Sequence, residues 1–302
     1  MTRVLLGITD RFSARGQVIG ASIVLLCAFA INNVHLMLLS GIGQPYDPVS
    51  NTGVVGRNYS YQTGGRVEVF FDDKEFNPFI GGGMVNTSID DLNGDVLHSQ
   101  PRDFVGSAYI AVSTAGATPI KSKPVPHGTP RWGGAWKKAV AQNYRRAFSL
   151  GIHGSCMSYR GHYLDLDPTY KDSNGLPLLR MTFDWHQNEQ KMLHFMNEKV
   201  SEIAKAMKPS SYHARAPYTK YSIVPYQSTH NMGGAAMGAD PKTSVVNKYM
   251  QSWDVPNVFV VGGSAFPQNG AQGPTETIGM LACWAADGIK EVYLKKPGQP
   301  MV

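Results

Sequence analysis

The last quarter of the chain holds the pattern that most constrains its fold. A buried apolar strand, Asn257–Val261, runs directly into the turn Gly262–Ser264, and a segment that suits a helix begins after Pro274. Glycine lets the backbone approach a ligand closely, and the first turn of a helix offers unpaired N–H groups at the positive end of its dipole. Strand, glycine turn and helix therefore predict one half of a site for a phosphate or a heteroaromatic ring.

A histidine and an asparagine precede this strand. They are His230 and Asn231, in the segment STHNMGG. A histidine delivered to the same site exchanges a proton near neutral pH, so His230 is a candidate catalytic base. The chain has nine histidines, and a surface or packing role is the ordinary one. The assignment therefore depends on the surrounding motif.

Seven segments follow one another in the order known from one enzyme family. They are CAFAINNVHLMLLSGIGQP (27–45), VGRN (55–58), HGTPRWGGAWK (127–137), YLDLDPTYKDSNGLPLLRMTFDW (163–185), HNMGGAAMGADPKTSVVNKY (230–249), VPNVFVVGGSAFPQN (255–269) and GPTETIGMLACWAADGI (273–289). Together they resemble the C-terminal part of the glucose–methanol–choline (GMC) flavin oxidoreductases. Within that family the chain is most similar to the bacterial gluconate and fructose dehydrogenases.

The resemblance implies an α/β (α+β) fold with two lobes. One is a partial FAD-binding, Rossmann-like lobe from residues 1–58 and 226–302, and the other is a substrate lobe, 59–225, with an antiparallel sheet backed by helices. The two ends of the chain would then meet in space. The sequence has no GxGxxG turn, which opens the FAD domain of complete members. We therefore expect a fragment or one half of a split protein, which alone binds FAD weakly or not at all.

The family's chemistry assigns roles to named positions. Hydride transfer from an alcohol to a flavin needs a base and a donor that fixes the oxygen. His230 matches the family's base, but the asparagine that close relatives place before Pro-Thr is Gly273 here, and glycine has no side chain to bond an oxygen. Either Asn269 or Gln272 on the same loop supplies the amide, or Asn231 does, or the site is impaired. Asn269 ranks first, because PQNG is a turn sequence that points an amide inward.

FAD is the expected cofactor, and no metal is expected. The predicted cofactor contacts lie at two strand ends and one helix start: Cys27, Ala28, Gly262, Gly263, Ser264, Pro274 and Thr275. The three cysteines lack CxxC spacing, so neither a zinc site nor a disulfide framework is expected. Cys27 and Cys283 lie in apolar contexts, which predicts that both are buried.

The implied reaction is FAD-dependent oxidation of a CH–OH group of a sugar acid or polyol, with D-gluconate to the 2-keto acid as first choice. Electrons would pass to a cytochrome or quinone through a cytochrome c subunit and a small subunit, on the periplasmic side of the bacterial inner membrane. Two alternatives stay open. One is another GMC enzyme, acting on an alcohol such as choline or a sterol, and the other is a non-catalytic remnant or partner-binding subunit.

Composition fits a folded chain. Of 302 residues, 42% are hydrophobic and 17% are charged, which excludes a disordered composition. The net charge is +6, but the basic residues are scattered, so no nucleic acid is expected as a partner. The apolar segment Val18–Ile31 is 14 residues long, too short to span a membrane, and predicts a strand that runs into a helix.

Local patterns predict further elements. They are a hairpin over 3–27, strands over Arg66–Phe71, Gly151–Tyr159, Tyr163–Leu166 and Leu178–Asp184, and helices from Trp136 and over Gln187–Met207.

Overall fold

A computed structural model describes residues 21–79, 87–93, 102–114, 124–217, 219–222 and 229–301. The helices in these ranges are α1 (Ala30–Ser40), α2 (Gly133–Asn143), α3 (Gln187–Ala206) and α4 (Thr275–Glu291). The strands are β1 (Val24–Leu26), β2 (Ser60–Tyr61), β3 (Thr63–Phe70), β4 (Thr87–Ile89), β5 (Ala108–Thr114), β6 (Ala147–Gly154), β7 (Tyr163–Lys171), β8 (Pro177–Thr182), β9 (Ser211–Ala214), β10 (Asn231–Met232) and β11 (Val258–Val260).

A five-stranded antiparallel sheet forms the larger lobe. Its strand order is β4-β5-β6-β3-β9, and β3 lies in register with β6 from Thr63 opposite Gly154 to Phe70 opposite Ala147. Because side chains alternate along a strand, the sheet has an apolar face and a polar face. The apolar face packs on α3 through buried side chains that include Val67, Val69, Ile110, Leu150, Ile152, Met192, Met196 and Val200.

The methionines of α3 serve this packing. Met192, Leu193, Met196 and Val200 recur at helical spacing, and all four are fully buried against the sheet. The predicted antiparallel sheet backed by a helix is therefore confirmed, while its role as the substrate lobe stays a prediction.

The second lobe joins the two ends of the described chain. β1 and β11 pair in parallel, with Val24 opposite Val258 and Leu26 opposite Val260. The helix α1 follows β1 and buries Val34 and Met37, two of its apolar residues, in the same core. This arrangement confirms the predicted mixed α/β architecture. The domain boundaries at 58 and 225 stay a prediction.

Several predicted elements differ from the observed ones. Residues 3–20 of the predicted hairpin over 3–27 lie outside the described residues, so that pairing stays a prediction; from residue 21 onward, β1 pairs with β11 at the other end of the sequence. The strand predicted over Gly151–Tyr159 starts earlier, at Ala147, and ends at Gly154, because the chain then leaves the sheet and Cys156 bonds to Asn269. The strands β4 and β5 were not predicted at all.

The predicted burial of two cysteines is wrong. Cys27 and Cys283 are exposed, and Cys156 is the buried one among the three. The error has a geometric reason. Cys27 comes directly after the end of β1, and Cys283 lies on the face of α4 that also exposes Met280 and Trp284. In the part of the chain that the structure describes, no helix has the length and apolar character to cross a membrane.

Candidate active site

One glutamine connects two histidines from different parts of the sequence. The side-chain nitrogen of the buried Gln62 donates to carbonyl oxygens of the loop 270–272, at 3.3 Å from Gly270, 3.4 Å from Gln272 and more closely to Ala271. Its side-chain oxygen therefore faces the other way. There it lies 2.5 Å from Nδ1 of His230 and 3.1 Å from Nδ1 of His153.

This contact assigns the tautomer of both rings. An amide oxygen only accepts hydrogen bonds, so Nδ1 of His230 and Nδ1 of His153 must each carry a proton. When the ring is neutral, the remaining nitrogen, Nε2, then holds a lone pair. Gln62 thus keeps both histidines in the form that accepts a proton at Nε2.

Both rings are neutral at neutral pH. Burial lowers the pKa of His230 below its ordinary value of 6.5. The pKa of His153 falls to about 4, first because of burial and then because of the charges of His230 and Arg66. His153 also stacks on Tyr109, with ring centroids 4.9 Å apart. A half-buried neutral imidazole suits a general base, because its lone pair is available before substrate binds.

The turn that carries His230 depends on its flanking glycines. His230 itself has a left-handed backbone, with φ of 60°. Gly233 has φ of 83°, and a Cβ there would overlap the carbonyl oxygen of Asn58. Gly234 donates its backbone N–H to the carbonyl of Arg57 at 3.0 Å. The HxxGG motif therefore lets this turn lie directly on the chain that leads into β2 and Gln62.

The three predicted amides bind protein groups. Asn269 is almost fully buried, and its Nδ2 donates to the backbone oxygen of His230 at 2.6 Å. Asn231 accepts from the hydroxyl of Tyr59 at 2.5 Å. Gln272 turns outward and donates to Asp90 at 2.9 Å. Asn269 and Asn231 therefore bind protein groups at or beside the turn of His230, and a catalytic role for either stays a prediction.

A cavity of about 370 Å³ opens beside the two histidines. His230, His153 and Gln62 lie in its wall, and the glycines of β3 and β6 line it with backbone. Two further groups line it, the aromatic side chains Tyr61, Trp185 and Tyr221, and the cations Arg66, Arg215 and Lys220. The sequence analysis missed Gln62, His153 and these cations. Strand alternation carries the signal for His153, since Leu150 and Ile152 on either side of Gly151 are buried and His153 must then face away from that core.

The predicted cofactor residues lie together at one edge of the second lobe. Because β1 and β11 are parallel neighbours, Cys27 and Ala28 lie beside the turn Gly262–Ser264. The fully buried Asn33 of α1 connects the two turns. It accepts from the backbone of Ala28 at 2.8 Å and donates to the carbonyl of Val261 at 3.1 Å and to Ser264 Oγ at 3.2 Å.

These residues fit a flavin through their backbone. Cys27 and Ala28 are exposed, and Gly262, with φ of 129°, has room for a ligand because a Cβ there would approach only Asn33, at 3.9 Å. Gly263 and Ser264 are buried and hold the turn from inside. No side chain of the described residues caps the helix α4, which follows Pro274 and starts at Thr275. Its first N–H groups therefore suit the electron-rich edge of a flavin ring.

Comparison with known proteins gives a family match. Residues 161–282 match the family model for GMC oxidoreductases. The chain carries the C-terminal domain of a GMC oxidoreductase. The predicted family resemblance is thereby confirmed.

Three curated proteins are similar to the chain. It is 51% identical over 285 residues to the gluconate 2-dehydrogenase flavoprotein of Pantoea cypripedii, which covers 93% of this chain and 46% of that protein. It is 34% identical over 164 residues to 2-methyl-1,2-propanediol dehydrogenase of Mycolicibacterium austroafricanum (54% of this chain, 28% of the relative). It is 26% identical to the large subunit of fructose dehydrogenase of Gluconobacter japonicus (89% of this chain, 47% of the relative). The chain thus spans about half the length, or less, of the curated relatives it matches.

A solved structure shares the fold. Pyridoxine 4-oxidase from Mesorbium loti superposes with a TM-score of 0.55, at 15% sequence identity, over 92% of this chain and 53% of the other. At this identity the similarity concerns the fold alone.

Proposed function

We propose that this chain forms the substrate side of an FAD-dependent dehydrogenase that oxidises a CH–OH group of a sugar acid or polyol, with D-gluconate to the 2-keto acid as the first candidate. The observation that carries the proposal is the pair of neutral histidines that Gln62 holds beside the cavity. The 51% identity to a gluconate 2-dehydrogenase flavoprotein supports the choice of substrate.

The residues of this chain supply the proton half of the reaction. Nε2 of His230 accepts the proton of the substrate hydroxyl while the carbon loses its hydride, so that the alcohol becomes a ketone. FAD, when bound, accepts that hydride. The carbonyl of His230, held by Asn269, and its Nδ1, held by Gln62, fix the ring on both sides. A base fixed in this way needs little rearrangement when the substrate arrives.

His153 has a different part in this scheme. Its Nε2 also holds a lone pair, and its ring centre lies 6.2 Å from that of His230. It therefore accepts a hydrogen bond from a second hydroxyl, next to the one that reacts. Sugar acids and polyols carry such neighbouring hydroxyls, whereas choline has a single hydroxyl. This pair of acceptors favours a sugar acid or polyol over choline.

The name of one relative supports the expected partner subunits. One relative is named as a large subunit, which implies a smaller one in that enzyme. We extend this to a small subunit and a cytochrome c subunit that receives the electrons here, on the periplasmic side of the inner membrane. Purification of the enzyme from a membrane fraction tests this proposal. We expect a small subunit and a cytochrome c subunit to copurify with the chain.

A substrate panel tests the proposal. The full-length flavin-loaded enzyme that contains this chain is mixed without oxygen with D-gluconate, D-glucitol or choline, and loss of the oxidised-flavin absorbance is followed. We expect D-gluconate to reduce the flavin fastest and choline to leave it oxidised. Reduction by choline with no response to either sugar derivative would contradict the proposal.

A further inference from the structure

The polar face of the five-stranded sheet places a cation close to the two histidines. Side chains alternate along β3, so Gly64 and Arg66 lie on the same face of the sheet as Gln62. The register sets Gly64 opposite His153 and Arg66 opposite Gly151. Arg66 and His153 are therefore diagonal neighbours, about 7–8 Å apart and within reach of a long side chain.

Two glycines leave the space between these side chains open. A Cβ at Gly151 would approach Nε2 of His153 only at 3.7 Å, and Gly64 meets only backbone. The cavity extends over this floor, and Arg66 and His153 both line it. A small ligand that lies on the glycines thus reaches a guanidinium at one end and the histidines at the other.

The charge of Arg66 is uncompensated within the described ranges of the chain. No carboxylate there lies within ion-pairing distance of its guanidinium, whereas the neighbouring Arg215 binds Glu68 at 2.8 Å. Arg215 also donates its backbone N–H to the carbonyl of Arg66 at 3.1 Å, which holds the strand in place. The positive charge of Arg66 reaches His153 and contributes to the lowering of its pKa. Arg66 is exposed, so its guanidinium is open to an anionic ligand in the cavity.

We propose that Arg66 binds the carboxylate of the substrate and selects acids whose hydroxyl carbon is bonded to the carboxylate carbon. A guanidinium binds a carboxylate through two parallel hydrogen bonds, which fixes the orientation as well as the position of the acid. In a 2-hydroxy acid the carboxylate and the reacting hydroxyl sit on adjacent carbons, so the cation and the base must line the same cavity. Arg66 and His230 both line it, and Arg66 adjoins His153 across the two glycines. The inference rests on the proposed oxidation at C2 and makes Arg66 its specificity-determining residue.

Binding in the absence of turnover tests this assignment. The full-length flavin-loaded enzyme with the substitution His230→Ala is titrated calorimetrically with D-gluconate and with D-glucitol, which has the same carbon chain without the carboxylate. Adding Arg66→Gln should weaken D-gluconate binding about 10- to 100-fold, as expected for loss of a charge-assisted hydrogen bond. D-glucitol binding should change less than about threefold. Arg66→Lys should retain part of the affinity for D-gluconate, because it keeps the charge and loses the bidentate geometry.

Two controls show whether a change in affinity is specific to Arg66 and to the charge of the ligand. Arg180→Gln removes an exposed arginine of β8 that pairs with Asp165 outside the cavity, and it should leave both affinities unchanged. In the enzyme with Arg66 intact, added salt should weaken binding of D-gluconate and spare D-glucitol, a measurement that does not depend on the folding of any Arg66 variant.

The outcomes distinguish this inference from the proposed function. Equal D-gluconate affinity with and without Arg66, or affinity that salt leaves unchanged, overturns the assignment of Arg66 and leaves the proposed reaction standing. If the enzyme with Arg66 intact binds D-glucitol but no D-gluconate, the proposed substrate is wrong and the assignment of Arg66 is wrong with it.

Discussion

Gln62 determines the state of two ring nitrogens at once. Its amide nitrogen faces three loop carbonyls, so its oxygen can only accept from His230 and His153. Neither partner is near Gln62 in sequence. His230 lies 168 positions away and His153 lies 91 positions away. A residue of this kind is not visible as a motif, whereas His230 was predicted because it lies in a recognisable segment of its own.

Replacing Gln62 by glutamate should move the pH dependence of catalysis. A carboxylate in hydrogen-bond contact with His230 stabilises the imidazolium, and a neighbouring opposite charge raises a histidine pKa by about one pH unit or more. Because the base must be neutral to act, the rate then falls at a higher pH than in the parent enzyme. The measurement is the pH dependence of kcat/KM for D-gluconate, with the acid limb displaced upward for Gln62→Glu.

A nearby glutamine provides the control for this variant. Gln272→Glu adds the same charge to a side chain that points to Asp90 and away from the histidines. Its acid limb should overlay that of the parent enzyme. An unchanged profile for Gln62→Glu would show that Gln62 does not control the protonation of His230.

At the scale of elements, the loop 267–273 supports the turn of His230. Asn269 bonds the carbonyl of His230, and its backbone accepts from the backbone N–H of Cys156 at 3.1 Å. The sequence predicted that the amide of Asn269 points inward, and in the structure this side chain is buried. What the turn sequence did not reveal is the partner, because a short polar side chain binds the nearest available backbone group, and that group depends on the fold around it.

Substitutions in this loop should distinguish a residue that holds the turn of His230 from one that makes only an exposed contact. Asn269→Ala should lower the free energy of unfolding by about 1–3 kcal/mol, since a buried carbonyl loses its donor, and should slow flavin reduction. Gln272→Ala removes an exposed contact and should change stability by less than about 0.5 kcal/mol with a parental rate. Chemical denaturation and stopped-flow flavin reduction provide both readouts. A parental rate and stability for Asn269→Ala would mean that the turn of His230 does not need this bond.

The same loop contains the position where close relatives carry asparagine. Gly273 has open space around it, since an added Cβ would meet nothing within 4 Å. Gly273→Asn is therefore tolerated sterically. Because Nε2 of His230 itself donates to the substrate oxygen once it has taken the proton, we expect no gain in the rate of flavin reduction. A gain approaching about 3 kcal/mol in activation free energy would instead show that the site lacks a donor.

At the scale of the whole molecule, the chain is organised by contacts between its distant parts. The end strands β1 and β11 pair in parallel, and Asn33 binds across them to Val261 and Ser264. The family resemblance predicted that these ends meet. The residue pattern alone predicted the strand–turn–helix segment, because periodicity and glycine position are local properties. The cavity was not predicted, since its wall combines β2, β3 and β6 with the segments 215–222 and 229–230.

The central claim is that His230 removes the proton of the substrate hydroxyl. Stopped-flow mixing of the full-length flavin-loaded enzyme with D-gluconate, without oxygen, measures this step directly. His230→Ala should slow flavin reduction by about 10²- to 10⁴-fold, the usual contribution of a positioned general base, while the flavin spectrum and D-gluconate binding are retained. Flavin reduction in His230→Ala within a factor of a few of the parental rate would contradict the claim and assign the proton transfer to another residue.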